Sequence, residues 1–113
     1  MVVKIEKIFK ALSDRSRLRI VNMLSQKSLC VCEIKEVLGL SQSTVSGHLR
    51  VLKEAELVID EKDGLWVEYR LRRDKKFNAA LLDLILETLI PDKIMAGDRM
   101  AASQAKREVI CKR

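Results

Sequence analysis

Two cysteines separated by one residue, Cys30-Val31-Cys32, are the side chains of this chain best suited to chemistry. Thiols at that spacing form a soft, chelating donor pair for a thiophilic ion. Helical signals begin at this point, and a helix N-terminus favours thiolate over thiol. In a regular helix, residues two apart point about 200° away from each other. Sharing one ion then requires the first turn to fray or unwind. A ligand that prefers the distorted turn would disfavour the packing of whatever follows it. Cysteine is also among the most buried residue types, so the spacing equally describes two small core residues. A third cysteine, Cys111, stands near the far end, and His48 is the single histidine. No Cys/His/Asp arrangement, glycine-rich phosphate loop or catalytic metal motif accompanies them, which argues against an enzyme.

The elements around the pair point to a nucleic acid. Ser41 is a good N-cap for a helix in which Val45, Leu49 and Leu52 repeat at i, i+4 and i+7 and line one buried face. The opposite face is short, polar and basic. It offers Gln42, Ser43, Thr44, Ser46, Gly47, His48 and Arg50 as candidate DNA contacts. Upstream, Ile34, Val37 and Leu38 mark a preceding helix, and Gly39-Leu40 makes a tight turn, giving a helix-turn-helix. Val58 to Lys62 and Leu65 to Leu71 alternate as strands around Asp63-Gly64, a dipeptide suited to a type I′ hairpin. Lys62, Arg70, Arg72 and Arg73 place positive charge on this hairpin. A helix-turn-helix followed by such a wing predicts a mainly α fold with a small β-hairpin, the winged helix, binding double-stranded DNA. A winged helix that binds protein instead is the rival reading, and the uncluttered polar face argues against it.

The chain has 113 residues, enough for one modest core, and a formal net charge of +6 that suits a polyanionic partner. Its 48% hydrophobic and 34% charged residues are those of a globular protein. No apolar run approaches the ~20 residues of a membrane span. The first residues lack the apolar core of a signal peptide, so a cytoplasmic protein with reduced thiols is expected. Ile5, Ile8, Phe9 and Leu12 predict a first amphipathic helix. Ser13 or Asp14 can cap a second, with Leu18, Ile20, Val21 and Leu24 inward and Arg15, Arg17 and Arg19 on a solvated face. Lys75 to Ile90 predicts a long helix that is apolar around most of its circumference, which a domain this small cannot bury alone. A homodimer is therefore expected, formed by the terminal helices through Ile5, Phe9, Phe77, Leu81, Leu84, Ile85 and Thr88. The organisation expected is a winged-helix and dimerisation unit over 1–91 and a partly helical tail over 92–113. The tail carries Cys111 and a helix around 94–105.

Leu29-Cys30-Val31-Cys32-Glu33-Ile34, followed by Leu38-Gly39-Leu40-Ser41-Gln42-Ser43-Thr44-Val45-Ser46, resembles the arsenic-repressor (ArsR/SmtB) family of metal-sensing winged-helix proteins. Ala11 to Ile20 and Asp63 to Leu71 extend the resemblance, which covers about residues 5 to 90. It implies a homodimeric repressor that leaves operator DNA when a toxic metal or metalloid binds. The Cys-Val-Cys element is similar to that of arsenite and antimonite sensors, so the resemblance implies trivalent arsenic or antimony on Cys30 and Cys32. Trivalent arsenic is satisfied by three sulfurs, and Cys111 is the remaining cysteine. Some arsenite sensors carry a third cysteine where this chain has Lys35. Cadmium and lead sensors add cysteines ahead of the pair, and none precedes Cys30. Zinc, nickel and cobalt sensors use histidine on the long last helix, which here has none; His48 is read as a packing or DNA-contact residue. A cadmium/lead response and a thiol-redox switch remain alternatives within the same fold.

Overall fold

The computed structural model describes residues 1–110. Helix α1 spans Val2–Leu12 and α2 spans Arg15–Leu24; a short strand β1, Leu29–Cys30, leads into α3, Val31–Leu38. Helix α4 is Gln42–Glu54, the hairpin is β2, Val58–Asp63, and β3, Trp66–Leu71, and α5 is Lys76–Leu89. Helix α6, Lys93–Gln104, and a last turn α7, Arg107–Ile110, complete the described chain. This is the winged helix-turn-helix expected from the pattern.

Local chemistry sets the boundaries. Asp14, the better of the two residues proposed as cap, accepts the Arg17 backbone N–H at 3.1 Å and starts α2. Gly39 ends α3 in the left-handed region, φ +69°, which a side chain would strain. Ser41 then accepts the Thr44 N–H at 3.2 Å and starts α4. Val45, Leu49 and Leu52 of α4 are fully buried in a core with Ile20, Val21 and Met23 of α2 and Ile34 of α3.

The hairpin differs from its expected form in one respect. Asp63 pairs with Trp66, so the loop residues are Gly64 and Leu65 rather than Asp63 and Gly64. Gly64 has φ +61° and Leu65 does not share the positive φ, which is the type II′ pattern. The sheet also has a strand the hydrophobic pattern does not show. The order is β1-β3-β2, with Leu29 opposite Tyr69 and Cys30 opposite Glu68. Two residues carry no readable alternation, and only tertiary pairing makes them a strand.

Helix α6 packs across α2 and α3 and buries Met95, Asp98 and Ala102. Here the solvated arginine face expected on α2 is corrected. Arg19 makes a two-pronged pair with Asp98, Nε–Oδ2 2.7 Å and Nη2–Oδ1 3.0 Å. Arg17 donates from Nε to the Ala11 carbonyl at 2.7 Å. Of the three arginines only Arg15 is exposed. Asn22, also buried, donates to the Met95 carbonyl and accepts from Arg99. Among the described residues no helix is long and apolar enough to cross a membrane.

Because Asp98 is buried, deleting its carboxylate strands a partly buried guanidinium. Asp98→Ala is expected to cost about 2–3 kcal/mol in urea unfolding. An unchanged midpoint would mean that α6 adds little to the fold.

Candidate functional site

Cys30 is the last residue of β1 and the N-cap of α3, in extended backbone with φ −91° and ψ 166°. Only Cys32 is inside the helix. The expected divergence of the two side chains therefore does not arise, because it assumed helical backbone at both. The sulfurs lie 3.1 Å apart and can chelate one ion without unwinding of the turn. Cys30 is buried, 2% exposed, and Cys32 is half-buried.

Glu33 supports this turn. Its Oε1 accepts the Cys30 backbone N–H at 2.9 Å, the glutamate half of a capping box. Burial pushes the Cys30 thiol above its usual range, and the negative charge of Glu33 adds to the rise, while the guanidinium of Arg107 opposes it. The thiolate expected from the helix N-terminus is thus outweighed by desolvation. Cys111 lies outside the described residues. Among the described residues no group of three or more His, Cys, Asp or Glu side chains is arranged to hold a metal ion.

Helix α3 packs on α4. On α4, Gln42, Ser43, Thr44 and Arg50 are exposed, and Ser46, Gly47 and His48 are half-buried. The Thr44 hydroxyl already accepts from Ser41 at 2.8 Å. His48 Nδ1 lies 3.1 Å from Arg17 Nη1. A guanidinium only donates, so Nδ1 is the acceptor in this contact. His48 is therefore a packing residue on its Nδ1 side, and it lies on α4, apart from the cysteine turn.

The wing separates its four cations into two kinds. Lys62 and Arg70 are exposed, with Arg70 3.7 Å from Glu61. Arg72 is held by Asp74 at 2.7 Å and Glu56 at 3.2 Å, and Arg73 pairs with Asp83 on α5. Arg72 thus ties the end of the hairpin to the flanking loops, and Arg73, though exposed, reaches α5.

Three residues of the site escaped the sequence reading. Glu33 could have been found, since a glutamate three residues after a helix cap is the capping-box spacing, but Cys is not among the usual caps. Glu68 reads as a solvent-side strand residue, yet it lies opposite Cys30. Arg107 has no sequence signal at all; its partners come from three distant segments.

The model for bacterial regulatory proteins of the arsR family matches residues 14–60. The arsenical resistance operon repressor of Staphylococcus aureus is 43% identical over 82 residues, which cover 73% of this chain and 73% of that protein. The chain belongs to the arsR family. An arsR-family chain is a DNA-binding transcriptional regulator and not an enzyme. The arsenical resistance operon repressor of Escherichia coli K12 is 48% identical over 65 residues, 57% of this chain and 56% of its own length. The match thus spans a little over half of that relative. The fold is similar to the homodimeric winged helix-turn-helix DNA-binding domain Mb0332 from Mycobacterium bovis, a possible ArsR-family regulator. That match has a TM-score of 0.68 and 28% identity, covering 77% of this chain and 79% of the other. The arsR match takes in the cysteine turn and α4, whereas Arg107 lies beyond it.

A thiol held above its usual pKa ionises late. In peptide-mapped alkylation by iodoacetamide, Cys30 of this arsR-family protein is expected to react at least about tenfold more slowly at about pH 8 than a small-molecule thiol. Its rate should keep rising past the pH at which the small thiol levels off. A plateau at or below that pH would contradict the burial argument.

Proposed function

We propose that this chain is a homodimeric repressor of the arsenical-resistance type. In this reading α4 and the wing hold operator DNA, and trivalent arsenic or antimony, as arsenite or antimonite, releases it by taking Cys30 and Cys32. The observation that carries the reading is the sulfur pair itself, 3.1 Å apart at the cap and first turn of the helix that packs on α4. An all-thiol pair without histidine beside it suits a thiophilic metalloid better than zinc. Cys111 is the remaining cysteine for a three-sulfur site. Gln42, Ser43, Thr44, Ser46, Gly47, His48 and Arg50, with Lys62 and Arg70 on the wing, are the proposed DNA contacts.

The dimer rests on apolar surface. Phe9 is 53% exposed, Phe77 50% and Leu84 62%, while Ile5, Leu81 and Ile85 are half-buried. Only Asn78 and Leu82 of α5 are buried within the described chain. Thr88 hydrogen-bonds back to the Leu84 carbonyl at 2.9 Å, so its hydroxyl is satisfied when that face is covered. A second copy seated there would bury these faces and set two α4 helices on half-sites one DNA turn, about 34–36 Å, apart.

Arsenite added to the protein on DNA from its own upstream region is expected to release the protein, with a coupling of about 1–3 kcal/mol. Cys30→Ser and Cys32→Ser should each lose the response, and X-ray absorption should count one sulfur fewer in Cys111→Ser. Full release of the Cys30→Ser/Cys32→Ser double variant would remove the pair from the mechanism. Release by peroxide but not arsenite would assign it to redox sensing.

The dimer is tested separately by Leu84→Asp. An unpaired carboxylate in an apolar interface is strongly unfavourable, so sedimentation should show a monomer and DNA affinity should fall in parallel. A folded monomer with wild-type affinity would refute the proposed interface.

A further inference from the structure

Arg107 gathers carboxylates from two parts of the molecule that the proposed mechanism must connect. Its guanidinium is 3.1 Å from Glu33 Oε1, 2.9 Å from Glu68 Oε2 and 3.6 Å from Asp63 Oδ2. It also lies over the Trp66 ring, 5.7 Å from the centroid. Glu33 belongs to the first turn of α3, directly after Cys32. Asp63, Trp66 and Glu68 all belong to the wing hairpin.

The contact with Glu33 is not that of a surface ion pair. The Arg107 side chain is 13% exposed and that of Glu33 only 3%. The Glu33 oxygen that takes the guanidinium is the same one that accepts the Cys30 N–H. A carboxylate buried to this extent needs a cation, and removing one partner of a buried pair is far more costly than never making the pair. The first turn of α3 and the wing are thus held by one charge. The backbone adds a parallel link, since Cys30 and Glu68 face each other in the β1–β3 ladder.

We propose that Arg107 is a latch that couples the cysteine turn to the wing, a positioning residue through which remodelling of the Cys30–Cys32 turn shifts the DNA-binding hairpin. Moving the Cys30 N–H or the first turn of α3 moves Glu33, and Arg107 must follow it or leave Glu68 and Trp66. The role in release rests on the proposed inducer reading; the mechanical link between turn and wing does not. A residue that only pinned the tail would affect stability without transmitting a change at Glu33 to the hairpin.

The test uses the full chain and Trp66, its single tryptophan, as reporter. Glu33→Gln keeps an acceptor for the Cys30 cap, since glutamine also serves in a capping box, but removes the charge that holds Arg107. The variant is expected to shift Trp66 emission and to speed amide exchange in β3 at least about fivefold, although the change is on α3. In an Arg107→Lys background, which loses the two-sided fork of the guanidinium, the same change at Glu33 should add nothing further. Glu68→Gln, at a half-buried site, repeats the experiment from the wing side should Arg107→Lys fail to fold. Wild-type emission and exchange in Glu33→Gln, or equal effects of Glu33→Gln with and without Arg107, would overturn the latch.

A second arm reads release. The ratio of DNA affinities without and with arsenite should fall at least about fivefold in Arg107→Lys, with arsenite stoichiometry unchanged. An unchanged ratio would overturn the latch as the route of release. A wild-type protein blind to arsenite would refute the inducer assignment instead, and the emission and exchange arms, which use no inducer, would then decide the latch.

Discussion

A buried carboxylate governs the arrangement of this domain. Glu33 is taken out of water, so it must find a donor on each side. On one side it finds the Cys30 N–H, which fixes the first residue of α3. On the other it finds Arg107, which brings the end of the described chain against the wing. Because the helix begins after Cys30, that residue keeps extended backbone and can serve at once as strand end and helix cap. The convergence of the two sulfurs follows from this boundary. A helix starting one residue earlier would have turned them apart. The charge of the same carboxylate makes Cys30 harder to ionise.

The positive charge of the chain is divided between two tasks. Arg17 donates to carbonyls, and Arg19, Arg72 and Arg73 pair with carboxylates of the same chain. Arg50 of α4, with Lys62 and Arg70 of the wing, remains facing outward. Net charge does not distinguish the two groups, since a guanidinium contributes the same +1 in an internal pair as on an open surface. What distinguishes them is whether a carboxylate from a distant segment, such as Asp98 for Arg19, lies within reach.

Apolar residues are divided in a similar way. The core is filled by α2, α3 and the inward face of α4, leaving the outer faces of α1 and α5 with Phe9, Phe77 and Leu84 in solvent. An α5 this apolar, with so little of it buried, is what a second copy would be expected to cover.

Much was legible from local pattern alone. The caps at Asp14 and Ser41, the glycine turn at Gly39, the period of Val45, Leu49 and Leu52 and the alternation of β3 depend on residues within one or two turns of each other. Such interactions survive in any tertiary setting, so the sequence by itself determined the winged helix and the polar face of α4. It also determined that two thiols stand at the entrance of α3. The strand β1 and the loop residues Gly64-Leu65 were decided by pairing across the sheet. The fates of Arg17 and Arg19 and the cluster around Arg107 were decided by partners six to nearly eighty residues away. A charge or a two-residue strand has no period to reveal its partner. Its energy depends on how deeply the surrounding elements bury it, and that depth exists only once the chain has folded.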